Sequence, residues 1–453
     1  MTSLRTNTLL AQGQTVATHT GQLQLTVGQY AGGGGQGQVY QATMNGRQMA
    51  IKWFLPEYLA TDPSLYGRLQ RLIGTGPPTD RFLWPVETVG AEGVPSFGYV
   101  MPWREERFRP LRDHFSRVVK PSLGVLSTVA LELAWSFREL HGHGFSYRDI
   151  SYDNCFFDPL RGEVRVCDND NIDRDGQPGG VLGTPYFMAP ELVRGETHHS
   201  RDTDLYSLSV LLFYILHVAH PLIGRRIMEV EFPDESDLQR LLADQPLFVL
   251  DPDDRSNRPL TRESDPQGES GTNVLEWWPL YPAYIHDLFM RAFTDGIANG
   301  HGGRVQEGEW MTALARFRES LIPCFFCDAE NSFQVSVERE DGKPLRPCWR
   351  CSRPIPRPLH LVTRRSLVVL APGRQLFGHH IEKTARFEFT RPLAEVEAHP
   401  GDARKLGLRN LSQTTWTTTK KDGDERRVEP GRLFPLVPGR AVDFGSMSGT
   451  VRG

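Results

Sequence analysis

Three side chains in the middle of the chain could carry oxygen-ligand chemistry at one site. Asp149 and Asn154 lie five residues apart in "SYRDISYDN", and Asp168 ends the short apolar run "VRVCD" fourteen residues further on. Together they could hold a divalent cation and orient a hydroxyl; a polar turn between two strands fits the same residues. Upstream, "GGGGQGQV" sets Gly32, Gly34 and Gly37 in a GxGxxGxV frame ending at Val39. A glycine turn lets backbone N–H groups approach a phosphate, because no Cβ intervenes, although a plain hairpin turn also satisfies the pattern. A dinucleotide-binding turn would be followed by a helix, and here a strand pattern follows. Lys52, in "MAIK", lies on the next strand. Behind a glycine turn its ammonium is placed to neutralise two phosphates; alone it reads as an edge-strand solubility device. Cys324-Phe-Phe-Cys327 and Cys348-Trp-Arg-Cys351 are separated by 20 residues. CxxC pairs at such spacing form tetrahedral thiolate sites, typically for Zn²⁺, with rubredoxin-like iron or a redox pair as alternatives.

The elements that must position these groups follow from periodicity. "LQLTVGQY", "VYQATM" and "QMAIKWF" alternate as three strands, with Asn45-Gly46 as a hairpin signal. Residues 64–74 read as a helix, and "WPVETVG" and "SFGYVMPW" as two more strands. From Leu111 the texture turns helical: "SLGVLSTVALELAWSFRELHGHG" has apolar residues at helical spacing and stops at Gly142 and Gly144. Residues 225–275 are polar and acidic and read as an exposed insertion or mobile loop. Helices resume at "PAYIHDLFMRAF" and "GEWMTALARFRESL", and short apolar runs with Gly and Pro turns after about residue 359 suggest an all-β module.

At 453 residues the chain is too long for one ordinary core. A charged fraction of 23% and a net charge of −4 suit a globular protein and imply no polyanion partner for the whole chain, so nucleic acid is not expected. The N-terminus has no basic start followed by an apolar run, so no signal peptide is expected. The longest apolar stretch, Leu205–Leu222, holds His217 and follows Asp204, which reads as a buried helix; no membrane association and a cytoplasmic location are expected. Six cysteines, four of them in CxxC pairs, suit a reducing compartment, with Cys155 and Cys167 as buried small residues.

The glycine turn, "MAIK", "YRDISYDN", "CDNDN", "GTPYFMAPE", "DTDLYSLSV" and Arg304 in "HGGRVQEGEW" occur in that order, and over roughly residues 25–320 the chain resembles the protein kinase superfamily. The resemblance implies an α+β, bilobal fold: a tail (1–22), then a kinase-like domain (23–320) with a β-rich N-lobe (23–103) and a helical C-lobe (104–320). A four-Cys zinc-ribbon-like module (321–358) and an all-β C-terminal sandwich (359–453) follow. It implies ATP and Mg²⁺ as cofactors: Asp149 as the group that accepts or orients the hydroxyl proton, and Asn154 and Asp168 as Mg²⁺ ligands. It assigns Lys52 and Gly32, Gly34 and Gly37 to the phosphates, Val39 and Ala50 to the adenine, Met101 to the back of the pocket, and the Pro102 carbonyl and Arg104 N–H to the adenine edge. Thr184 takes the position beside the catalytic Asp in Ser/Thr-type members, while Asp204 and the Glu191–Arg304 pair are scaffold.

Departures from the pattern carry information. Tyr147 replaces the usual His, Ser151 the usual Lys, and Asp168-Asn169-Asp170 the Asp-Phe-Gly turn. The helix window 67–73, "GRLQRLI", lacks the Glu expected to pair with Lys52; Gln70 could hydrogen-bond the lysine, and Glu57 comes too soon after it. No Ser, Thr or Tyr lies between Asp168 and Gly183, so activation by phosphorylation there is excluded, and Asp173 or Asp175 is expected to serve Arg148 instead. Residues 360–453 are basic, which suits an acidic partner, and "NLSQTTW … VEPGRLFPLVPGRAVDFG" resembles a forkhead-associated (FHA) module without its phosphothreonine-binding Ser-x-x-His. His379-His380 reads as a surface pair. The architecture resembles bacterial kinases of stress- and tellurite-resistance-associated operons, encoded beside a PP2C-type phosphatase and a von Willebrand A-type protein. The expectation is a Ser/Thr protein kinase acting on a protein substrate; the alternatives are a nucleotide-binding pseudokinase scaffold and a kinase of a small molecule or nucleic acid.

Overall fold

The computed structural model describes residues 9–21, 23–179, 183–333, 346–383, 387, 389 and 391–453. The chain divides into two compact units, one of residues 1–120, 132–274 and 288–308, the other of residues 121–131, 275–287 and 309–453. Residues 309–319, expected in the helical lobe, thus fall in the second unit.

The first unit begins with a closed barrel of β1 (Thr15–Thr18), β2 (Gln24–Gly33), β3 (Gly37–Met44), β4 (Arg47–Phe54), β5 (Glu87–Gly90) and β6 (Phe97–Pro102), in the order β1-β2-β3-β4-β6-β5. β1 corrects the expected tail at 1–22: it pairs with both β2 and β5 and buries Val16 and Thr18. The strand carries too little alternation to recognise, because a polar Thr18 is buried and an apolar Ala17 faces outward in only four residues. Leu25, Val27, Ile51, Trp53, Val89 and Val100 form the barrel core. β4 lies between β3 and β6, so Lys52 is on a central strand, 4% exposed, and not on an edge. The Asn45-Gly46 turn joins β3 to β4 with both residues at positive φ.

Helices α1 (Pro56–Thr61) and α2 (Leu65–Thr75) follow β4. α2 buries Leu65, Arg68, Leu69 and Leu72; three of these are the apolar stripe of an amphipathic helix, and the fourth is an arginine. In the helical part, α3 (Arg112–Phe115) precedes α4 (Leu123–Gly142), and α4 ends where Gly144 takes φ +77°. α5 (Pro190–Val193) precedes α6 (Arg201–His217), which is capped by Ser200 with Thr203 and buried along most of its length, as the apolar run 205–222 suggests. Among the described residues no helix is long and apolar enough to cross a membrane.

The segment 225–275 is exposed over much of its length, as its polarity suggests, but it also sends residues into the interior. Leu241, Leu242, Phe248 and Val249 are buried. Asp265 accepts hydrogen bonds from the backbone N–H groups of Gly268, Glu269 and Ser270 and from the hydroxyls of Ser270 and Thr272. Asn257 donates to the Leu222 and Leu247 carbonyls. Buried Asp and Asn replace a missing β-ladder here, and composition cannot distinguish that from a solvated loop.

In the second unit a hairpin of Leu321–Pro323 and Glu330–Ser332 leads into the cysteine pairs. Residues 360–452 form a six-stranded and a four-stranded sheet. Leu361, Val368, Trp416, Val442 and Val451 from the first sheet share one core with Leu376, Val396, Leu408 and Phe434 from the second.

Candidate functional site

A cleft of about 570 Å³ in the first unit collects eleven of the residues singled out from the sequence. Gly32, Gly34, Gly37, Val39, Ala50, Lys52, Met101, Pro102, Arg104, Asn154 and Asp168 all line it. The floor is apolar, with Ala50, Leu83 and Met101 in one core cluster and Val39 packed on it. The glycines differ in their demands. A Cβ on Gly32 or Gly34 would meet nothing within 4 Å, so open space remains beside that turn for a ligand group. A Cβ on Gly37 would lie 2.3 Å from the Trp53 carbonyl, so this glycine is required by the close approach of β3 to β4.

Asp149 reaches the site through the loop after α4. Asn154 donates from Nδ2 to the Asp149 backbone carbonyl at 2.9 Å and to its Oδ2 at 3.0 Å. Asn154 Oδ1 is therefore the atom offered to a cation. Thr184 donates to Asp149 Oδ1 at 2.7 Å. Burial pushes the Asp149 carboxyl above its ordinary range, against the hydrogen bonds from Thr184 and Asn154. A base in that environment holds a proton more readily than a free carboxylate.

The loop is fixed from α6. Asp204 accepts the backbone N–H of Tyr147 on Oδ2 and that of Arg148 on Oδ1, the latter at 3.0 Å. Arg148 has φ +75° and Asp168 φ +52°, so left-handed backbone stands at both shoulders of the site. Tyr147, in the place of the expected His, is fully buried and donates its hydroxyl to the Cys167 carbonyl. The Cys167 N–H in turn donates to the Asn154 carbonyl at 3.0 Å, tying the loop of Asn154 to that of Asp168.

Lys52 is held by groups that sequence reasoning missed. Its Nζ lies 2.9 and 3.1 Å from the two carboxylate oxygens of Asp170, 3.4 Å from Asp168 Oδ1 and 2.9 Å from Gln36 Oε1 in the glycine turn. Burial alone would lower the pKa of this ammonium; the Asp168 and Asp170 carboxylates outweigh it and keep the lysine charged. Gln70 does not take part: it donates to Thr88 Oγ1 at 2.9 Å, correcting the expected contact. The missed signals were a second acid in Asp168-Asn169-Asp170 and an arginine in the window where a glutamate was sought. Arg68 donates to the Asp170 backbone carbonyl at 2.8 Å and pairs with Asp62 at 2.6 Å.

Arg148 donates to the carbonyls of Gly179 and Gln177, each at 2.9 Å, and lies 3.8 Å from Asp173. Asp175 instead accepts the Arg201 backbone N–H, so of the two acids expected beside Arg148 only Asp173 is near it. Glu191 pairs with Arg304, which lies over the Tyr206 ring. His141, between Asp204 and Glu307, is pushed up to about 9; burial opposes this and the two carboxylate hydrogen bonds prevail.

In the second unit the four cysteine sulfurs lie within 4.8 Å of one another, with Cys324–Cys351 and Cys327–Cys348 each at 3.6 Å. A disulfide requires about 2.05 Å. A tetrahedron with Zn–S bonds of about 2.3 Å has edges near 3.8 Å. The set fits zinc. Both turns repeat one geometry: Asp328 and Ser352, each directly after the second cysteine of its pair, have φ +57° and return their N–H to the Cys324 and Cys348 carbonyls. His379 and His380 are buried and not a surface pair: both rings face Glu319 Oε1, at 3.2 and 2.7 Å. His380 Nδ1 accepts the Phe377 N–H, so its neutral ring carries its proton on Nε2 and donates it to Glu319. That tautomer leaves no Nε2 lone pair for a metal.

Residues 105–258 match the protein kinase domain family. The DNA damage-responsive serine/threonine-protein kinase RqkA of Deinococcus radiodurans is 28% identical over 310 residues, covering 63% of this chain and 42% of that protein. Serine/threonine-protein kinase PknD of Chlamydia pneumoniae is 28% identical over 229 residues, covering 42% of this chain and 24% of that protein. A probable serine/threonine-protein kinase of Streptomyces coelicolor is 28% identical over 211 residues, covering 44% of this chain and 31% of that protein. The chain thus spans less than half the length of these relatives, and it carries a protein kinase domain.

Proposed function

We propose that this protein is an ATP- and Mg²⁺-dependent protein kinase that transfers the γ-phosphoryl group to Ser or Thr hydroxyls of a protein substrate in bacterial stress or defence signalling. One observation carries the reading: Lys52, Asn154 and Asp168 line the same cleft as the glycine turn, with Asp149 hydrogen-bonded to Asn154 at its edge. Phosphoryl transfer asks a protein for positioning and charge neutralisation more than for covalent chemistry. Asn154 and Asp168 would hold Mg²⁺, which neutralises phosphate charge when bound. Lys52 serves the phosphates from the side of β4, where Gln36 now occupies one of its donor directions. Asp149 accepts the hydroxyl proton, and Thr184 fixes the carboxylate that does so. This assignment to Ser/Thr hydroxyls rests on Thr184 and on the named activity of the relatives.

Zn²⁺ in the four-cysteine set is read as structural, and the two-sheet module that follows as FHA-like and concerned with recognition. The order of domains extends the reading to a PP2C-type phosphatase and a von Willebrand A-type protein as partners, and to the cytoplasm as compartment. The test is purified protein with labelled ATP and Mg²⁺ beside Asp149→Ala. Incorporation into phosphoserine or phosphothreonine is expected in the first and near-background signal in the second. Equal signal removes the base role. Nucleotide binding without any incorporation establishes the scaffold reading, which the acid-free helix α2 favours.

A further inference from the structure

We infer that Asp170 is the positioning residue for Lys52, supplying from the start of the segment after Asp168 the counter-charge that helix α2 lacks. The inference rests on the kinase reading of the cleft. Lys52 is almost wholly buried, and a buried ammonium requires a carboxylate with good geometry. α2 offers none: its buried polar residue is Arg68, a cation. Two carboxylates reach Lys52, and their surroundings assign them different tasks. The Asp168 side chain is 36% exposed and opens on the cleft, where it can turn to a cation. The Asp170 side chain is wholly buried. Its Oδ1 takes Lys52 and the Tyr99 hydroxyl, the latter at 2.9 Å, and its Oδ2 takes Lys52 again. Three contacts and full burial thus turn Asp170 toward Lys52 and Tyr99 and away from the open cleft, so its charge is committed to Lys52.

The elements around it enforce this. Arg68 grips the Asp170 backbone carbonyl and is itself anchored by Asp62. One turn along α2, Arg71 pairs with Asp173 at 3.0 Å. α2 therefore acts as a cationic clamp on the segment that carries the counter-charge, the reverse of a helix that brings an acid to the lysine. Lys52 is set without an approach of α2. With Asp170 neutral, Lys52 would turn to Asp168 and leave the position from which it meets a phosphate.

The test is a double-mutant cycle of Asp170→Asn and Lys52→Met in the full chain. Binding of a fluorescent ADP analogue is measured in EDTA, and thermal stability in parallel. Asp170→Asn is near-isosteric and can keep the Tyr99 contact. Losing a charge-assisted contact predicts affinity weakened on the order of tenfold in the wild-type background and little further loss in Lys52→Met. Unchanged affinity in Asp170→Asn, or an equal loss in both backgrounds, overturns the inference. If Asp170→Asn fails to fold, the double variant decides: its folding supports a charge pair, and its failure makes Asp170 general core support and overturns the positioning role. Wild-type protein that binds the analogue but phosphorylates nothing refutes the proposed function and leaves the Asp170 result standing. Wild-type protein that binds no adenine nucleotide removes both.

Discussion

Asp204→Asn tests how the loop that carries Asp149 is held. In the wild type, Oδ1 takes the Arg148 N–H at 3.0 Å, while Oδ2 takes the Tyr147 N–H and faces His141 Nε2 at 3.1 Å. An amide of the same shape keeps one acceptor oxygen and turns an NH₂ toward the other donor. Either orientation leaves one buried backbone N–H unpaired, which costs about 1–3 kcal/mol, with more for the lost charge. These two bonds also hold Arg148 at φ +75°, a conformation that costs about 1–3 kcal/mol and relaxes once its support goes. Relaxation of that conformation returns part of the loss, and the net cost, about 1–3 kcal/mol, can appear as lost stability or as a displaced loop. Asp149 is the next residue after Arg148, so displacement falls directly on the proposed base. If about 2 kcal/mol reaches the transition state, kcat falls by roughly 30-fold.

The assay is ADP release at saturating ATP, with the melting temperature taken on the same preparations. A fall in kcat with folded protein is the expected result. Asp204→Asn protein with more than half the wild-type kcat and an unshifted melting temperature would refute the claim that this carboxylate fixes the loop.

The remaining expectations concern five other groups. Thr184→Val removes a hydrogen bond that favours the ionised Asp149, so the acidic limb of the pH–rate profile should move to higher pH, with kcat reduced about tenfold for one lost bond; an unmoved limb counts against the contact. His141, at about 9 against an ordinary 6.5, contributes stability that is complete below about pH 6.5 and lost as pH rises through 9. The shift corresponds to about 3 kcal/mol, and His141→Gln should flatten the alkaline fall in melting temperature. Glu307, held down at about 2, works the other way: its contribution is present above its ordinary 4.5 and lost as pH falls through 2. Elemental analysis should find one zinc per chain, released by a thiol-directed mercurial; protein without zinc after expression in zinc-supplemented medium would refute the thiolate site. Because Arg148 Nη1 and Nη2 already donate to the Gly179 and Gln177 carbonyls, phosphatase-treated protein should keep its activity, and a loss on treatment would show that a phosphate is needed after all.

What could be read in advance depended on whether one stretch of chain contained the whole signal. The glycine turn, the Asp149–Asn154 loop and the two CxxC pairs each declare themselves within a few residues, because a short turn has to present its ligands together. The strand β1 did not, since four residues give too little alternation to recognise and its partners lie up to 73 positions away. The segment 225–275 misled in part because Asp265 and Asn257 spend their polarity inward, on backbone groups, and polarity in a sequence carries no direction. His379 and His380 misled in the same way, their partner Glu319 lying 60 positions upstream.

Lys52 shows the limit most clearly. A family pattern names the position where a counter-ion is expected; electrostatics requires only that a carboxylate be within reach. Those conditions part company when the charge moves to another element, as it does across the 118 positions between Lys52 and Asp170. The chain carries two complementary departures from the pattern it resembles: an acid at Asp170, in the turn after Asp168, and a cation, Arg68, in the helix where an acid is expected. Either departure alone would be costly. A second carboxylate beside Asp168 without Lys52 would be repelled, and a buried Arg68 without the Asp170 carbonyl and Asp62 would be left unpaired. Their coexistence argues that the charge around the ammonium was relocated and not lost. An acid-free helix is then weak grounds for calling such a chain inactive, until the residues after Asp168 have been searched for the missing charge.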